Sequence, residues 1–389
     1  SDLVWQDRRT AARCDELREQ GHQALVRERT GLTIDPYFSA TKIEWLLANA
    51  EGAERAVFGT IDSWLLFKLT GRHVTDYSNA ARTMLFDIRR LGWDEQLCGL
   101  LGIDPERLPV PLPSAHVFGT TREFGGEVPV AGIAGDQQAA LFGQACHQPG
   151  MAKNTYGTGS FVLLNTGATA PTPGDGLLAT VAWGLGEEVA YALEASIFVT
   201  GAAVQWLRDG LGVIEQAADT EALAASLDSN DGVYFVPALT GLGSPHWDPY
   251  ARGTIVGLTR GSGRAHLARA ALEAIAYQAV DAVRAQEAAS GERLEILKAD
   301  GGATENAWLM QFQADVLGAP VVVPEIAETT ALGAAYLAGI ASGRWTREEV
   351  GEMWRPARRY EPRLGADERE SLLADWRRAL ERSRGWAAG

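Results

Sequence analysis

The sequence predicts an α/β protein of two domains, and three observations carry that reading. With 389 residues and 46% hydrophobic content, the chain can bury large cores, and its length suggests two domains, or at most three. Val130-Ala131-Gly132-Ile133-Ala134-Gly135-Asp136 is a short apolar run ending in Gly-Asp, and the Ala-rich segment from Gln137 to Gly143 has helical spacing. Leu294-Glu295-Ile296-Leu297-Lys298-Ala299-Asp300-Gly301-Gly302 repeats that design: a strand, then Ala-Asp-Gly where the first stretch has Ala-Gly-Asp, then a helix. The echo predicts two halves on one plan, each presenting a strand-end acid and a glycine turn to a shared cleft.

Composition narrows the partners. The formal net charge is −15, and no run of Lys or Arg makes a basic stripe, which argues against nucleic acid and anionic membrane. A small polyanionic substrate stays open if the positive potential is local. Cys14, Cys98 and Cys146 are far apart with no metal-ligand or CxxC spacing, as expected of reduced thiols in a cytoplasmic protein. The sequence shows no 18-residue apolar run and no signal peptide, so no membrane insertion is expected. It opens without an initiator Met on the strand-like Leu3-Val4-Trp5-Gln6, as though within a domain, and reads as a fragment.

Taken in order, Leu17 and Leu25 suggest a helical segment. Asp35-Pro36-Tyr37-Phe38-Ser39 is a turn, and Lys42 to Leu47 puts its apolar positions on one helix face. Phe58 to Gly71 reads as a helix stopped by Gly71, with Asp62 or Ser63 as first-turn acceptor. Thr75 to Ala80 reads as a polar loop, and Pro109 to Pro113 as a connector. Met151 to Tyr156 and Ser160 to Gly167 are strand-like and flank Gly157-Thr158-Gly159, and a domain boundary falls between 147 and 148. Phe198 to Asp209 starts a helix with small residues, where a ligand can approach closely. Thr240 to Tyr250 is an aromatic, Gly/Pro-rich loop in which His246 is structural. His266 to Ala289 is a long helix, Thr330 to Gly339 an Ala-rich buried helix, and the region from Trp345 charged and helical.

Two local patterns carry chemistry. Asp136 at a strand-to-helix turn can orient a hydroxyl, take its proton, or help hold a metal ion beside a phosphate; the alternative is a cap for the helix beginning at Gln137. Gly157-Thr158-Gly159 offers bare backbone and a hydroxyl that could cradle phosphate oxygens, or it is a plain hairpin turn.

The combination of Trp5-Gln6-x-Arg8-Arg9-Thr10, Asp35-Pro36-Tyr37-Phe38-Ser39, Gly135-Asp136-Gln137-Gln138, Tyr156-Gly157-Thr158-Gly159, Gln205-Trp206-Leu207-Arg208-Asp209 and Asp300-Gly301-Gly302-Ala303 resembles the FGGY carbohydrate kinases, in their glycerol-phosphorylating branch. Both wider family signatures are present, one from Tyr37 to Asn49 and one from Gly253-x-Ile255-x-Gly257-Leu258 to Ala271-Leu272-Glu273. The likeness runs in order over almost the whole chain and fades after about residue 345.

The resemblance implies an α/β fold of two actin-like, RNase H-like domains (the ASKHA type), here 1–147 and 148–389, with a cleft between them and the first domain N-terminally incomplete. It implies ATP with Mg2+ as phosphoryl source, glycerol as acceptor, sn-glycerol 3-phosphate as product in glycerol catabolism, and a homodimer or homotetramer. By position, Asp136 would be the general base, with Mg2+ near it. Gln137 would bond the substrate, Tyr37 a hydroxyl, and Trp5 and Phe161 would wall the carbon side. Thr158 would meet the phosphates, while Gly201, Gln205, Gly302 and Asn306 would line the nucleotide pocket. These roles suit phosphoryl transfer, which needs positioning and charge stabilisation above all.

The departures from the family pattern set further expectations. A first phosphate loop with its metal-associated Asp, and an Arg-Glu pair on glycerol, precede the position of Trp5 in the family. Each well-placed electrostatic contact is worth roughly 10²–10³ in rate, so residues 1–389 alone are expected to be weakly active or inactive. Glu123-Phe124-Gly125-Gly126-Glu127 replaces a basic Gly-rich regulatory loop, which argues against inhibition by a sugar bisphosphate. The rival readings are an FGGY kinase acting on a pentulose or gluconate, and a non-catalytic actin-like nucleotide-binding module.

Overall fold

The computed structural model describes residues 3–387. Its first quarter is helical. Leu3 to Gln6 form an irregular turn, not the strand their apolar start suggests, because Lys42 Nζ and the Asp7 N–H both donate to the Val4 carbonyl, at 2.7 and 3.0 Å. The expected first helical segment is two helices, α1 (Ala11–Glu19) and α2 (Gln23–Thr30), broken at Gly21. They pack with α3 (Ala40–Asn49) around Cys14, Leu17, Val26, Ile34, Phe38 and Ile43.

Helix α4 (Ile61–Thr70) stops at Gly71, whose φ of 73° favours glycine. The expected cap from Asp62 or Ser63 does not form. Thr60 precedes the helix without a side-chain cap bond, and Asp62 turns inward to accept from Thr75 Oγ1 at 2.6 Å. The stretch read as a polar loop is strand β1 (Val74–Asp76) followed by the short helix α5 (Tyr77–Ala80). Asp76 decides this, since its carboxylate accepts the Ser78 and Asn79 N–H groups at 3.0 and 2.9 Å. Beyond β2 (Phe86–Asp87), β3 (Gly92–Trp93) and α6 (Glu95–Leu100), the Pro-rich connector forms β4 (Val110–Leu112), paired parallel with β1.

The rest of the chain is built on one nine-stranded sheet. Its strands are β5 (Ala115–Thr121), β6 (Val128–Gly132), β7 (Met151–Tyr156), β8 (Ser160–Gly167), β9 (Leu178–Leu185), β10 (Glu188–Ile197), β13 (Ile296–Asp300), β14 (Val321–Pro324) and β15 (Pro356–Tyr360). They lie in the order β15-β14-β13-β7-β8-β10-β9-β5-β6, so strands from both halves share one sheet. The two-stranded β11 (Tyr234–Val236) and β12 (Thr254–Val256) lie apart. Strand β15 lies in the C-terminal region read as purely helical; it pairs antiparallel with β14.

Helix α7 (Asp136–Gly143) follows β6. Next come α8 (Gly201–Gln205), which runs into a π-turn over Trp206–Gly210, α9 (Asp219–Ala225), α10 (Arg264–Ser290), α11 (Ala307–Leu317), α12 (Thr329–Ala341), α13 (Arg347–Met353) and α14 (Ala366–Glu381). The long α10 is buried by Leu272, Ile275 and Tyr277, and the Tyr277 ring stacks on Trp376 of α14 at 5.3 Å. Helices α7 and α12 touch backbone to backbone: a Cβ on Gly333 would sit 1.8 Å from the Ala139 carbonyl oxygen, and one on Gly143 2.0 Å from that of Thr329. Among the described residues no helix is long and apolar enough to cross a membrane.

Candidate active site

Asp136 is the first residue of α7, immediately after β6 and its short exit. It does not cap the helix in the usual way. Gly135 holds the cap position without a side-chain bond, while Asp136 Oδ1 accepts only the adjacent Gln137 N–H, at 2.8 Å, and the residue stays exposed. The turn is held from behind. The Gly135 N–H donates to Ser78 Oγ at 2.8 Å, and Ser78 Oγ donates to Asp76 Oδ2 at 2.7 Å. Asp76 also accepts from Ser114 Oγ at 2.6 Å. Burial pushes the Asp76 carboxyl above its ordinary 3.8, against the pull of those donors.

One face of the sheet supplies the floor. In the β7–β8 pair Lys153 stands opposite Leu163 and Thr155 opposite Phe161, and β10 sets Glu194 opposite Leu163. Residues two apart share a face, so Lys153, Thr155, Phe161 and Glu194 project together. Lys153 is fully buried; its Nζ donates to Gln137 Oε1 and, at 2.9 Å, to Thr155 Oγ1. Burial lowers its pKa, and the charges of Asp300, Glu194 and Asp136 oppose that shift. Gln137 Nε2 in turn faces Asp136 Oδ2 at 3.4 Å.

The wall comes from the N-terminal turn. Asp35 Oδ1 accepts the Tyr37 N–H at 2.8 Å, the side-chain-to-backbone closure that Asp-Pro sequences favour. Tyr37 is half-buried, and the Trp5 ring meets it edge-on at 5.6 Å. The Arg82 guanidinium lies 5.6 Å from the Tyr37 ring and 5.4 Å from the Phe38 ring, and makes a two-pronged ion pair with Glu194, both arms 3.0 Å. Burial raises the Tyr37 phenol, with Arg82 opposing and Glu194 and Asp136 adding to the shift, so the hydroxyl is a neutral donor near pH 7. Trp5 stays 59% exposed against Tyr37. Phe161 is half-buried on the sheet face it shares with Lys153, packed against the cluster of Leu141, Phe142 and Leu163.

The second half contributes a set of tight turns. Gly157-Thr158-Gly159 closes the β7–β8 hairpin, with the Gly157 N–H on the Gly159 carbonyl at 2.8 Å. The start of α8 docks on that turn: the Thr200 and Ala202 N–H groups donate to the Thr158 carbonyl at 2.9 and 3.1 Å, and Gly201 N–H to the Gly157 carbonyl at 3.0 Å. A Cβ on Gly201 would lie 2.7 Å from the Gly157 carbonyl oxygen, so only glycine permits this approach. Gly301 presses more closely still on the Tyr156 carbonyl, whose oxygen is 2.2 Å from where a Cβ would lie, which brings exposed Gly302 beside the hairpin. The structure thus gathers Thr158, Gly201 and Gly302 at the ends of β7 and β13. Gln205 lies exposed further along α8. Asn306 is engaged as the cap of α11, with Oδ1 accepting from the Leu309 N–H at 2.9 Å and Nδ2 donating to Thr220 Oγ1 at 3.2 Å.

The expected second cleft acid is not one. Asp300 is 4% exposed and accepts from Gln144 Nε2 at 2.8 Å and Thr329 Oγ1 at 2.6 Å. The same strand-Asp-Gly pattern here ties α7 and α12 to β13 instead of facing a ligand. Among the described residues no group of three or more His, Cys, Asp or Glu could hold a metal ion. Mg2+ is commonly bound by one or two carboxylates plus substrate phosphates, and Asp136 can supply one.

Four further residues shape the site: Lys153, Arg82, Glu194 and Asp76. The sequence signal for Lys153 is a lysine inside an otherwise buried strand. Arg82 and Glu194 lie 112 positions apart, and no local pattern pairs them.

An exposed acid on a helix start, linked through Gln137 and Lys153 to the strand that leads into a glycine hairpin, suits phosphoryl transfer to a small molecule. Residues 2–143 match the N-terminal domain and residues 152–342 the C-terminal domain of the FGGY family of carbohydrate kinases. The chain is 58% identical to glycerol kinase 2 of Thermotoga maritima and 59% identical to the glycerol kinase of Symbiobacterium thermophilum, each match covering 99% of this chain and 80% of the relative. It superposes on the crystal structure of Plasmodium falciparum glycerol kinase with ADP at a TM-score of 0.94 and 34% identity, over 98% of this chain and 78% of that one. The chain belongs to the FGGY family of carbohydrate kinases and has their two-domain, actin-like architecture.

Proposed function

We propose that this kinase transfers the γ-phosphoryl group of ATP to a terminal hydroxyl of glycerol, giving sn-glycerol 3-phosphate and ADP. The observation that carries the reading is the Asp136–Gln137 pair, tied through Lys153 to Thr155 on the strand that leads into the Gly157-Thr158-Gly159 turn. The glycerol kinases that match the chain at 58–59% identity support glycerol as the acceptor.

In this reading the hydroxyl oxygen attacks the γ-phosphorus while Asp136 takes its proton, and the bond to the β-phosphate bridging oxygen breaks to release ADP. Gln137 and Tyr37 hold the other hydroxyls, and Trp5 and Phe161 flank the carbon chain. Thr158 meets the phosphates from the hairpin, with Gly201, Gln205, Gly302 and Asn306 along the nucleotide. Mg2+ would neutralise charge on the phosphates when bound, with Asp136 as the protein's carboxylate toward it. The domains divide at 147/148. Three free, buried cysteines fit a reducing cytoplasm, and the working form is a homodimer or homotetramer, which light scattering checks.

The direct test is ADP release with glycerol, D-xylulose or gluconate as acceptor, by the purified chain, expected to be weak, and by the chain joined to the segment that precedes Trp5 in its relatives, beside calorimetric titration of each. Glycerol is expected to be preferred by at least about 10²-fold, the order by which a pocket rejects a competitor that merely adds hydroxyl groups. Faster turnover with a ketose or gluconate would move the chain to another branch of the family. ADP binding without binding or turnover of any acceptor would leave a nucleotide-binding module.

A further inference from the structure

Lys153 sits in the middle of a sheet and is fully buried, a position where lysine is rare because desolvation penalises its charge. No direct ion pair accounts for it among the described residues. Its Nζ is spent on two neutral oxygens, Gln137 Oε1 and Thr155 Oγ1, while the acids that act on it do so from further away.

A lysine can only donate, so the Gln137 amide must turn its oxygen toward Lys153. Its NH₂ end is left on the opposite side, facing Asp136 Oδ2 at 3.4 Å. Flipped by 180°, the amide would aim an acceptor at the carboxylate and could no longer donate to a substrate oxygen. An uncharged side chain offering both a donor and an acceptor would leave the two orientations close in energy.

We propose that Lys153 is a positioning residue for phosphoryl transfer: it fixes the Gln137 amide so that Nε2, and not Oε1, faces Asp136 and the acceptor hydroxyl. The proposal rests on the glycerol reading above, because the oriented amide matters only if an alcohol docks beside it. Thr155 shares the lysine and holds Nζ at the height of the α7 N-terminus.

The test is a double-mutant cycle on glycerol phosphorylation with Lys153→Met, Gln137→Ala and the pair, each in the chain joined to the segment that precedes Trp5 in its relatives. Lys153→Met is expected to lower kcat/KM for glycerol by up to about 10²-fold, the scale of a misplaced contact, mostly through KM for glycerol and with KM for ATP little changed. In the Gln137→Ala background the same substitution should have almost no further effect. Equal losses in both backgrounds, or no loss in either, would overturn the proposal. Lys153→Gln should fall between wild type and Lys153→Met, since its NH₂ can still donate to Gln137; it also serves the cycle if Lys153→Met does not fold. The side-chain amide resonance of Gln137, assigned by its loss in Gln137→Ala, reads the orientation without activity. It should shift or broaden in the Lys153 variants. An unchanged resonance overturns the Lys153 proposal, whereas a shifted resonance in a protein that ignores glycerol overturns the proposed function alone.

Discussion

At the residue scale, two buried titrating groups pull the stability of the fold in opposite directions. Burial lifts the Asp62 carboxyl from 3.8 to about 6, against the hydrogen bonds from Thr60 and Thr75, while burial lowers the His147 ring from 6.5 to about 4. Between those limits folded Asp62 keeps a proton that the unfolded chain has lost, so its contribution falls as pH rises. The unfolded His147 binds a proton that the folded ring refuses, so its contribution rises with pH. Each term spans roughly 3 kcal/mol, and the two largely cancel in the wild type. Denaturant unfolding at pH 4.5 and 6.5 should therefore show Asp62→Asn gaining stability toward the higher pH and His147→Phe losing it. Parallel pH profiles for the two variants would refute the assignment. Sequence reading placed Asp136 at a helix start and Thr158 in a hairpin turn because turn chemistry is local, whereas the roles proposed for Tyr37 and Thr158 came from the family resemblance. It missed Lys153, Arg82 and Glu194 because their partners are supplied by packing; Asp76 was missed although its capping bonds to Ser78 and Asn79 are local, and Asp300 was misread because a strand-end acid looks the same whether it faces solvent or the Gln144 and Thr329 side chains.

At the scale of elements, the site depends on how closely backbones approach. Helix α8 reaches the hairpin only because Gly201 has no Cβ to strike the Gly157 carbonyl. Gly201→Ala should lower thermal stability by about 1–3 kcal/mol, as overpacking does, and weaken ADP binding in calorimetric titration by pushing α8 away from the turn. Wild-type ADP affinity in that variant would show that the contact does not shape the nucleotide site. The helices and strands with strong periodicity or clear punctuation were legible: α7, the β7–β8 hairpin, α10, and α4 with its Gly71 stop. Strands β1, β4 and β15 were not. Each is short, two contain or begin with proline, and each is defined by a partner distant in sequence rather than by alternation of its own.

At the scale of the whole molecule, the two halves meet along one continuous sheet and through the glycine contacts of α7 with α12. The two-domain plan was legible from length and the repeated strand-acid-helix design, although the repeat is used differently in each half: Asp136 is exposed at the start of α7, and Asp300 is buried, tied to the Gln144 and Thr329 side chains. The catalytic reading of Asp136 therefore rests on the asymmetry between the halves. The most direct test is glycerol-dependent ADP formation by wild type and Asp136→Asn, each joined to the segment that precedes Trp5 in its relatives, at equal concentration, with glycerol and ATP binding to both measured by calorimetry. A general base predicts that turnover falls by about 10²–10⁴ while both affinities stay within a few-fold. Unchanged turnover in Asp136→Asn would contradict that account and leave Asp136 a helix-start residue with no part in the reaction.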